Sequence, residues 1–199
     1  MSEQPASIRQ AGEILGQKIR VEPDGSIPPY VLGAFEIANR WRSAHEGPMR
    51  GLRASAIHCL RHQETDGVTG ARLKRLAAIR RKLARDRHGK VPFTLDEIQD
   101  IAGCRVIVGT IDDARGLAER MRRNVNHRYE RENDYIADPK RSGYRSLHLI
   151  FETGARGASG ETKHIELQVR TRLQHSWATA VEAVGTYLRQ NLKGSEGVK

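Results

Sequence analysis

Long apolar runs are missing from this chain of 199 residues, and two other absences narrow the classes of protein to which it can belong. No stretch of about 18 apolar residues occurs, so we expect no membrane-spanning helix. The first residues, Met1 to Ala6, lack the apolar segment of a signal peptide, and we therefore expect a cytoplasmic protein. No Gly-x-x-x-x-Gly-Lys-Ser/Thr sequence is present, which excludes a P-loop nucleotide-binding protein.

Cysteine is also scarce. The chain contains two cysteines, Cys59 and Cys104, and neither has a neighbour at the spacing of a metal-binding pair. We interpret both as buried thiols in a reducing cytosol. Disulfide-stabilised and zinc-ribbon folds are thereby disfavoured.

Positive charge, in contrast, is abundant and concentrated in one window. The net charge is +10, from 34 Lys and Arg against 24 Asp and Glu. Between Gly70 and Lys90 nine basic residues stand against Asp86, which amounts to +8. A concentrated positive field favours an anionic partner such as a nucleotide, a nucleic acid or an anionic lipid surface.

The order of predicted elements indicates an α+β (α/β) protein. Three helices come first, over 7–18, 29–42 and 50–61, and an amphipathic basic helix follows over 75–87. Predicted strands cover 101–108, 127–136, 144–151 and 163–170, with helices over 111–126 and 171–190. We expect Leu173, Trp177, Val181, Val184 and Leu188 to hold the last helix in place. This order predicts a mixed sheet of about five strands flanked by helices.

Two predicted strands place polar side chains on one face. In the last strand Glu166, Gln168 and Arg170 alternate with apolar residues, and Tyr144, Ser146 and His148 alternate in the strand before it. Taken alone, either strand is typical of a sheet with one solvated face. Asp100 and Glu166 are separated carboxylates that could hold Mg²⁺, which prefers oxygen ligands and bridges phosphates. Together with Lys140, Arg141 and the aromatic ring of Tyr144, they favour nucleotide chemistry over lipid binding.

Four ordered segments resemble the synthetase domain of the RelA/SpoT family. They are Asp100–Arg105, Asp134–His148 and Glu166–Thr171, together with an upstream Arg-x-Lys segment, Arg72 to Lys82. The resemblance covers about residues 70–188. It implies a nucleotidyltransferase-like fold and divides the chain into an N-terminal helical region (1–69), a synthetase domain (70–192) and a flexible tail (193–199).

The resemblance also implies an activity, which is transfer of pyrophosphate from ATP to the ribose 3′-hydroxyl of GDP or GTP. It assigns the ATP phosphates and adenine to Arg72, Lys74, Lys82, Arg85 and Arg105. Asp100 would bind Mg²⁺, with Glu166 as a second ligand or as the base. On the acceptor side, the implied roles are phosphate contacts for Lys140 and His148, base stacking for Tyr144, and orientation of the nucleoside for Gln168 and His175.

The sequence departs from the family pattern at three positions and lacks a further motif. Ala78 and Arg75 stand where serines are usual, and Asn133 stands where many members carry a basic residue. No His-Asp dipeptide occurs, so we expect a small, synthetase-only member without the companion hydrolase domain.

Several alternatives remain open at this point. The acceptor is GDP or GTP, an adenosine nucleotide, or the 3′ end of tRNA as in a toxin-like member. A non-catalytic nucleotide-binding or RNA-binding module is a further alternative. An antitoxin-like partner and a homo-oligomer are possible associations.

Overall fold

A computed structural model of the protein describes residues 4–84, 93–123, 127–153 and 162–188. Its helices are α1 (Ile8–Gly16), α2 (Pro29–Ser43), α3 (Glu46–His62), α4 (Leu76–Leu83), α5 (Ile111–Arg122) and α6 (Arg172–Tyr187). Its strands are β1 (Gly67–Leu73), β2 (Ala102–Val108), β3 (Arg128–Asp134), β4 (Leu147–Thr153) and β5 (Lys163–Thr171). No helix within these ranges is long and apolar enough to cross a bilayer.

The five strands form one mixed sheet in the order β1-β2-β5-β4-β3. β2 and β5 run parallel, and the other neighbouring pairs are antiparallel. In β2 the buried residues alternate with Gly103, Arg105 and Ile107, which point to the other face. In β5 the residues Ile165 and Leu167 are fully buried on the core side, and Glu166 lies between them on the opposite face. The predicted mixed sheet with flanking helices is therefore confirmed.

The described residues form two apolar cores. The first packs α3 and α5 against one face, where Leu52, Leu117 and Phe151 are fully buried. The second lies among α1, α2, α4 and the segment that leads into β2, and it includes Ile79 and Ile101. The second core anchors the chain immediately beside Lys82 and Asp100, because their neighbours Leu83 and Ile101 are both buried.

Strand β1 was missed by the sequence analysis. The segment Gly67–Leu73 pairs antiparallel with β2 along its whole length and forms an edge of the sheet. It carries few apolar residues, and most of its side chains are exposed, so no strand pattern marks it. The predicted division of the chain at residues 69 and 70 falls inside this strand, and α3 shares the core of the sheet. That division stays a prediction.

The predicted packing face of α6 is confirmed at Trp177 and Val181, which are half-buried, and is wrong at the other three residues. Leu173 is 81% exposed, and Val184 and Leu188 are each 50% exposed. The buried residues of the helix are instead Ala178 and Gly185. Small side chains at this spacing allow a helix to approach its neighbours closely, whereas the larger apolar residues would hold it away. The helix begins at a capping box between Thr171 and Gln174.

Buried His45 predicts a pH dependence of stability. The ring lies between α2 and α3, its Nδ1–H donates to the Trp41 carbonyl at 2.7 Å, and burial lowers its pKa to about 4. The His45 ring takes up a proton near pH 6.5 in the unfolded chain but only near pH 4 in the folded protein. The free energy of unfolding should therefore fall as the pH drops from about 6.5 to about 4. The expected loss is about 3 kcal/mol. Urea unfolding at both ends of that range measures it.

The matched variant is His45→Gln. Its neutral amide should make it less stable than the wild type at neutral pH and flatten the pH dependence. An equal loss of unfolding free energy in both proteins would contradict the role of His45.

Candidate active site

A cavity of about 640 Å³ opens between β1, β2, β5 and helix α6. The side chains of β2 and β5 that point away from the first core form its floor. The lining includes seven residues that the sequence analysis had singled out: Arg72, Lys74, Asp100, Arg105, Glu166, Gln168 and His175. The fold therefore brings to one place residues from four separate elements, from the segment before β2 and from the link between β1 and α4.

Asp100 is held by two lysines on one side of this cavity. Lys74 Nζ lies 2.6 Å from Oδ2, and Lys82 Nζ lies 2.8 Å from Oδ1. Burial alone would raise the pKa of Asp100, but the two ammonium groups outweigh it and lower that pKa to about 2. The carboxylate is thus fully ionised at neutral pH. Of the two lysines, Lys74 also lines the cavity.

Backbone contacts fix the position of Lys74. Its N–H donates to the Ile101 carbonyl at 2.7 Å, and its own carbonyl accepts from Arg42 Nε at 2.7 Å. Arg42 lies on α2, so a helix of the N-terminal region helps to place a residue of the cavity. The sequence analysis assigned no chemistry to that region, and no local pattern marks Arg42.

Glu166 lies across the cavity from Asp100 and is 13% exposed. His148 Nδ1 contacts its Oε1 atom, and Gln168 Nε2 donates to Oε2 at 2.8 Å. Burial raises the pKa of Glu166, but the hydrogen bond and charge of His148 and the bond from Gln168 outweigh it. The pKa therefore lies below its usual value. The expectation of a solvated strand face is wrong at Glu166 and Arg170, because side chains of β4, of β5 and of the turn before β4 contact them.

The two carboxylates are close enough to repel each other. The charge of Asp100 opposes ionisation of Glu166, which is the situation that a bound divalent cation relieves. Among the described residues, no group of three or more His, Cys, Asp or Glu side chains forms a self-sufficient metal site. Two carboxylates fit Mg²⁺, which is commonly held by one or two carboxylates together with substrate phosphates.

A second cluster adjoins Glu166 on the side of β4. The Tyr144 hydroxyl lies 2.6 Å from His148 Nε2, and Lys140 Nζ lies 4.7 Å from the centre of the Tyr135 ring. Gly143, at φ +80°, closes the turn that returns the chain from Lys140 to Tyr144. This cluster contains Lys140, Tyr144 and His148, three of the five residues assigned to acceptor binding.

Tyr144 has an unexpected environment. The residue is 1% exposed, and Lys140 and Arg170 lie 5.5 and 5.0 Å from its ring centre. Its role in stacking stays a prediction, which requires that the Lys140 side chain give access to the ring. Tyr135, which the sequence analysis did not assign, is partly exposed beside it. The Asp-Tyr-Ile segment was the signal that could have identified Tyr135. Arg85 lies outside the described residues.

The segment that builds this cavity matches a known family. The model of the family described as a region found in RelA / SpoT proteins matches residues 71–191, more than half of the chain. The chain belongs to the RelA/SpoT family. The matched segment of this RelA/SpoT protein includes Asp100, Glu166 and the residues described above as their neighbours in β2, β4 and β5.

Among curated relatives, GTP pyrophosphokinase YjbM of Bacillus subtilis is 34% identical over 134 residues, which are 66% of this chain and 61% of that protein. GTP pyrophosphokinase YwaC of the same organism is 35% identical over 86 residues, which are 42% of this chain and 40% of that protein. The RelA/SpoT chain thus spans about three fifths and two fifths of the lengths of these relatives.

Solved structures share the fold of this RelA/SpoT protein. Small alarmone synthetase 1 from Bacillus subtilis superposes with a TM-score of 0.65 at 25% identity, covering 77% of this chain and 81% of that one. A second structure of that synthetase, bound to its product pppGpp, gives a TM-score of 0.63 at 25% identity, with coverages of 78% and 86%.

Proposed function

We propose that this protein transfers the β,γ-pyrophosphate of ATP to the ribose 3′-hydroxyl of GDP or GTP. The 3′-oxygen forms a bond to the β-phosphorus, the bond between that phosphorus and the α,β-bridging oxygen breaks, and AMP leaves. The products are ppGpp or pppGpp. The single observation that carries the proposal is the pair of ionised carboxylates, Asp100 and Glu166, in a cavity lined by cations.

Phosphoryl-type transfer depends on positioning and charge neutralisation more than on covalent chemistry. On the donor side, Lys74 and Lys82 would exchange part of their contact with Asp100 for the ATP phosphates. Arg72 and Arg105 stand farther along the cavity, and their planar guanidinium groups suit phosphate oxygens or the face of a base. These cations neutralise the charge that develops on the leaving AMP.

On the acceptor side, Glu166 is the base that takes the proton of the 3′-hydroxyl. Each carboxylate oxygen already accepts one hydrogen bond and keeps a second lone pair for the substrate. Gln168 and His175 line the same cavity and would orient the nucleoside. Lys140 and His148 would contact the acceptor phosphates.

Magnesium completes the proposed site. Asp100 and Glu166 would hold Mg²⁺ together with the phosphates, and the cation would neutralise the transferring group. Each oxygen of Asp100 accepts one hydrogen bond from a lysine and keeps a second lone pair that would be available to the cation.

Arg105 supplies a test of donor binding. Its Nε is buried without a hydrogen-bond partner among the described residues, and a phosphate or purine acceptor would satisfy it. We expect Arg105→Gln to weaken binding of a non-hydrolysable ATP analogue about 10-fold or more in calorimetry. The control is Arg128→Gln, which removes an 81% exposed side chain paired with Glu152 outside the cavity. Unchanged affinity in Arg105→Gln would remove Arg105 from the donor site.

Acceptor identity is tested directly with γ-labelled ATP and Mg²⁺. GDP, GTP, ADP, ATP and bulk tRNA are offered in separate reactions. Label on GDP or GTP supports the proposal. Label on tRNA or an adenosine nucleotide would instead indicate that the protein uses the acceptor of a toxin-like member. No transfer by folded protein that still binds the ATP analogue would indicate a non-catalytic nucleotide-binding module.

The remaining associations follow from this function and stay predictions. We expect a cytoplasmic location, because ATP, GDP and GTP are available there. An antitoxin-like partner would be expected if tRNA is the acceptor. The exposed apolar side chains of α6 are compatible with a homo-oligomer, and the measured molar mass in solution decides this point.

A further inference from the structure

The cluster beside Glu166, which we call the acceptor cluster, consists of Tyr135, Lys140, Tyr144 and His148. Its lysine lies over the rings of both tyrosines. Both ring nitrogens of His148 are engaged, one by the Tyr144 hydroxyl and the other by Glu166. The 5′-phosphates of GDP or GTP bring several negative charges, which are bound most strongly by cations that also donate hydrogen bonds. A further cation is therefore expected beside this cluster.

Strand β3 places Arg131 on the same face of the sheet as Glu166. Arg131 pairs with Ile150 in β4, and Ile150 pairs with Glu166 in β5. Directly opposite residues of antiparallel strands project to the same side of the sheet, so these three side chains share a face. Asn133 follows two residues later on this face, opposite His148, and carries no charge. The positive charge of β3 that is nearest to His148 on this face is therefore that of Arg131.

Tyr135 connects Arg131 with the acceptor cluster. The centre of its ring lies 5.1 Å from that of His148 and 5.8 Å from that of Tyr144. Burial raises the pKa of the Tyr135 hydroxyl, the negative charge of Glu166 raises it further, and the positive charge of Arg131 opposes both. The hydroxyl therefore lies within electrostatic reach of Arg131 on one side and of the proposed base on the other.

The guanidinium of Arg131 retains donors for a ligand, and its side chain is 48% exposed. Its Nη2 contacts Gln99 Oε1, and its Nε lies 3.8 Å from Glu130 Oε1, which is beyond hydrogen-bonding distance. A guanidinium donates through several N–H groups in a planar fork that fits two phosphate oxygens. The contact with Gln99 occupies one part of this fork. It also holds the guanidinium beside the segment that contains Asp100.

We propose that Arg131 binds the 5′-phosphates of the acceptor and thereby favours a free nucleoside diphosphate or triphosphate over the 3′ end of tRNA. This inference rests on the proposed function and names a residue on which the class of acceptor depends. The terminal nucleotide of tRNA is preceded by a single bridging phosphate, whereas GDP and GTP carry more charge and more terminal oxygens. An arginine at this position binds the free nucleotides more strongly for that reason.

The test measures the contribution of Arg131 as phosphates are added to the ligand. Guanosine, GMP, GDP and GTP are titrated by calorimetry into protein that holds Mg²⁺ and a non-hydrolysable ATP analogue. In Arg131→Gln, we expect binding of GDP and GTP to weaken about 10-fold, binding of GMP to weaken less and binding of guanosine to stay unchanged. An equal loss for guanosine and GDP would indicate a structural effect and overturn the proposal, as would unchanged affinity for GDP and GTP.

Arg128→Gln is the matched control, because Arg128 lies on the same strand, is 81% exposed and pairs with Glu152. Its affinity for every ligand should equal that of the wild type. A comparable loss in both variants would show that only general surface charge matters and would contradict the proposal. Arg131→Lys keeps the charge and should recover part of the affinity for GDP. No recovery in this variant would contradict a charge contact with phosphate.

Turnover gives a second readout. In Arg131→Gln, KM for GDP should rise about 10-fold, whereas KM for ATP and kcat at saturating GDP should change little. The binding data separate the two hypotheses. If the wild type binds GDP and Arg131→Gln binds it equally well, only the role of Arg131 fails. If the wild type binds neither GDP nor GTP, the acceptor of the proposed function fails, and the role of Arg131 fails with it.

Discussion

Replacing Glu166 by glutamine should reduce pyrophosphate transfer about 1,000-fold, because the variant loses the proposed base and one of two candidate Mg²⁺ ligands. The effect should appear in kcat for every acceptor that the wild type uses. Binding of an ATP analogue should persist, since Lys74, Lys82 and Arg105 remain. Single-turnover transfer of labelled phosphate measures the loss.

The geometry makes this substitution conservative in shape. The introduced amide still offers one oxygen as an acceptor, but its NH₂ group opposes either His148 or Gln168, so a modest loss of stability is expected. The control is Glu152→Gln on β4, where the carboxylate pairs with Arg128 outside the cavity. This variant should transfer pyrophosphate at close to the wild-type rate. More than about a tenth of wild-type activity in Glu166→Gln would exclude the assignment of Glu166 as the base.

Asp100→Asn should have an effect of similar size through the metal. The asparagine keeps the shape but removes the charge that would hold Mg²⁺ and that Lys74 and Lys82 neutralise in the free protein. We expect transfer to fall about 100-fold or more and the Mg²⁺ concentration required for half-maximal activity to rise. Titration of the rate with Mg²⁺ measures both.

Asp100 also contributes to stability. The pKa of Asp100 is about 2 in the folded protein, against 3.8 in the unfolded chain. The ionised carboxylate therefore stabilises the folded state above the unfolded pKa, and this contribution is lost as the pH falls toward the folded pKa. At neutral pH, Asp100→Asn should therefore lower the unfolding free energy by about 1–2 kcal/mol, after allowance for solvent screening. An unchanged Mg²⁺ requirement would exclude Asp100 as a ligand.

Asp96→Asn is the matched control for this second prediction. Asp96 lies in the same segment and pairs with Arg9 at 3.6 Å, outside the proposed active site. Its substitution should leave the Mg²⁺ dependence of transfer unaltered. A comparable loss in both variants would indicate disturbance of the segment and not removal of a ligand.

The parts of the fold that follow from local pattern were predictable. The apolar run over residues 101–108 predicted β2. Strict alternation of polar and apolar residues placed Glu166 and Gln168 on one face of β5. The ordered motifs identified the two carboxylates. The edge strand β1 was not predictable in this way, because an exposed strand with little apolar alternation depends on its pairing with β2, which lies beyond α4 in the chain.

Helix α6 shows a related limit. Its apolar residues predicted a buried stripe, but Ala178 and Gly185 face inward while Leu173 is exposed. Periodicity predicts which residues share a face, but it does not say which face is covered. That choice depends on how closely the helix approaches β5 and β2.

By itself, the sequence predicted which residues carry the chemistry: a lysine pair, two carboxylates and a motif containing Tyr144 and His148. The tertiary structure decided how they meet. Strand β5 lies between β2 and β4, so Glu166 contacts His148 on one side and is exposed to the charge of the Asp100 carboxylate on the other. The positions of Lys82 and Arg170 likewise depend on packing. Such placement is set by strand order and register between distant segments, and periodicity within one segment contains no information about either.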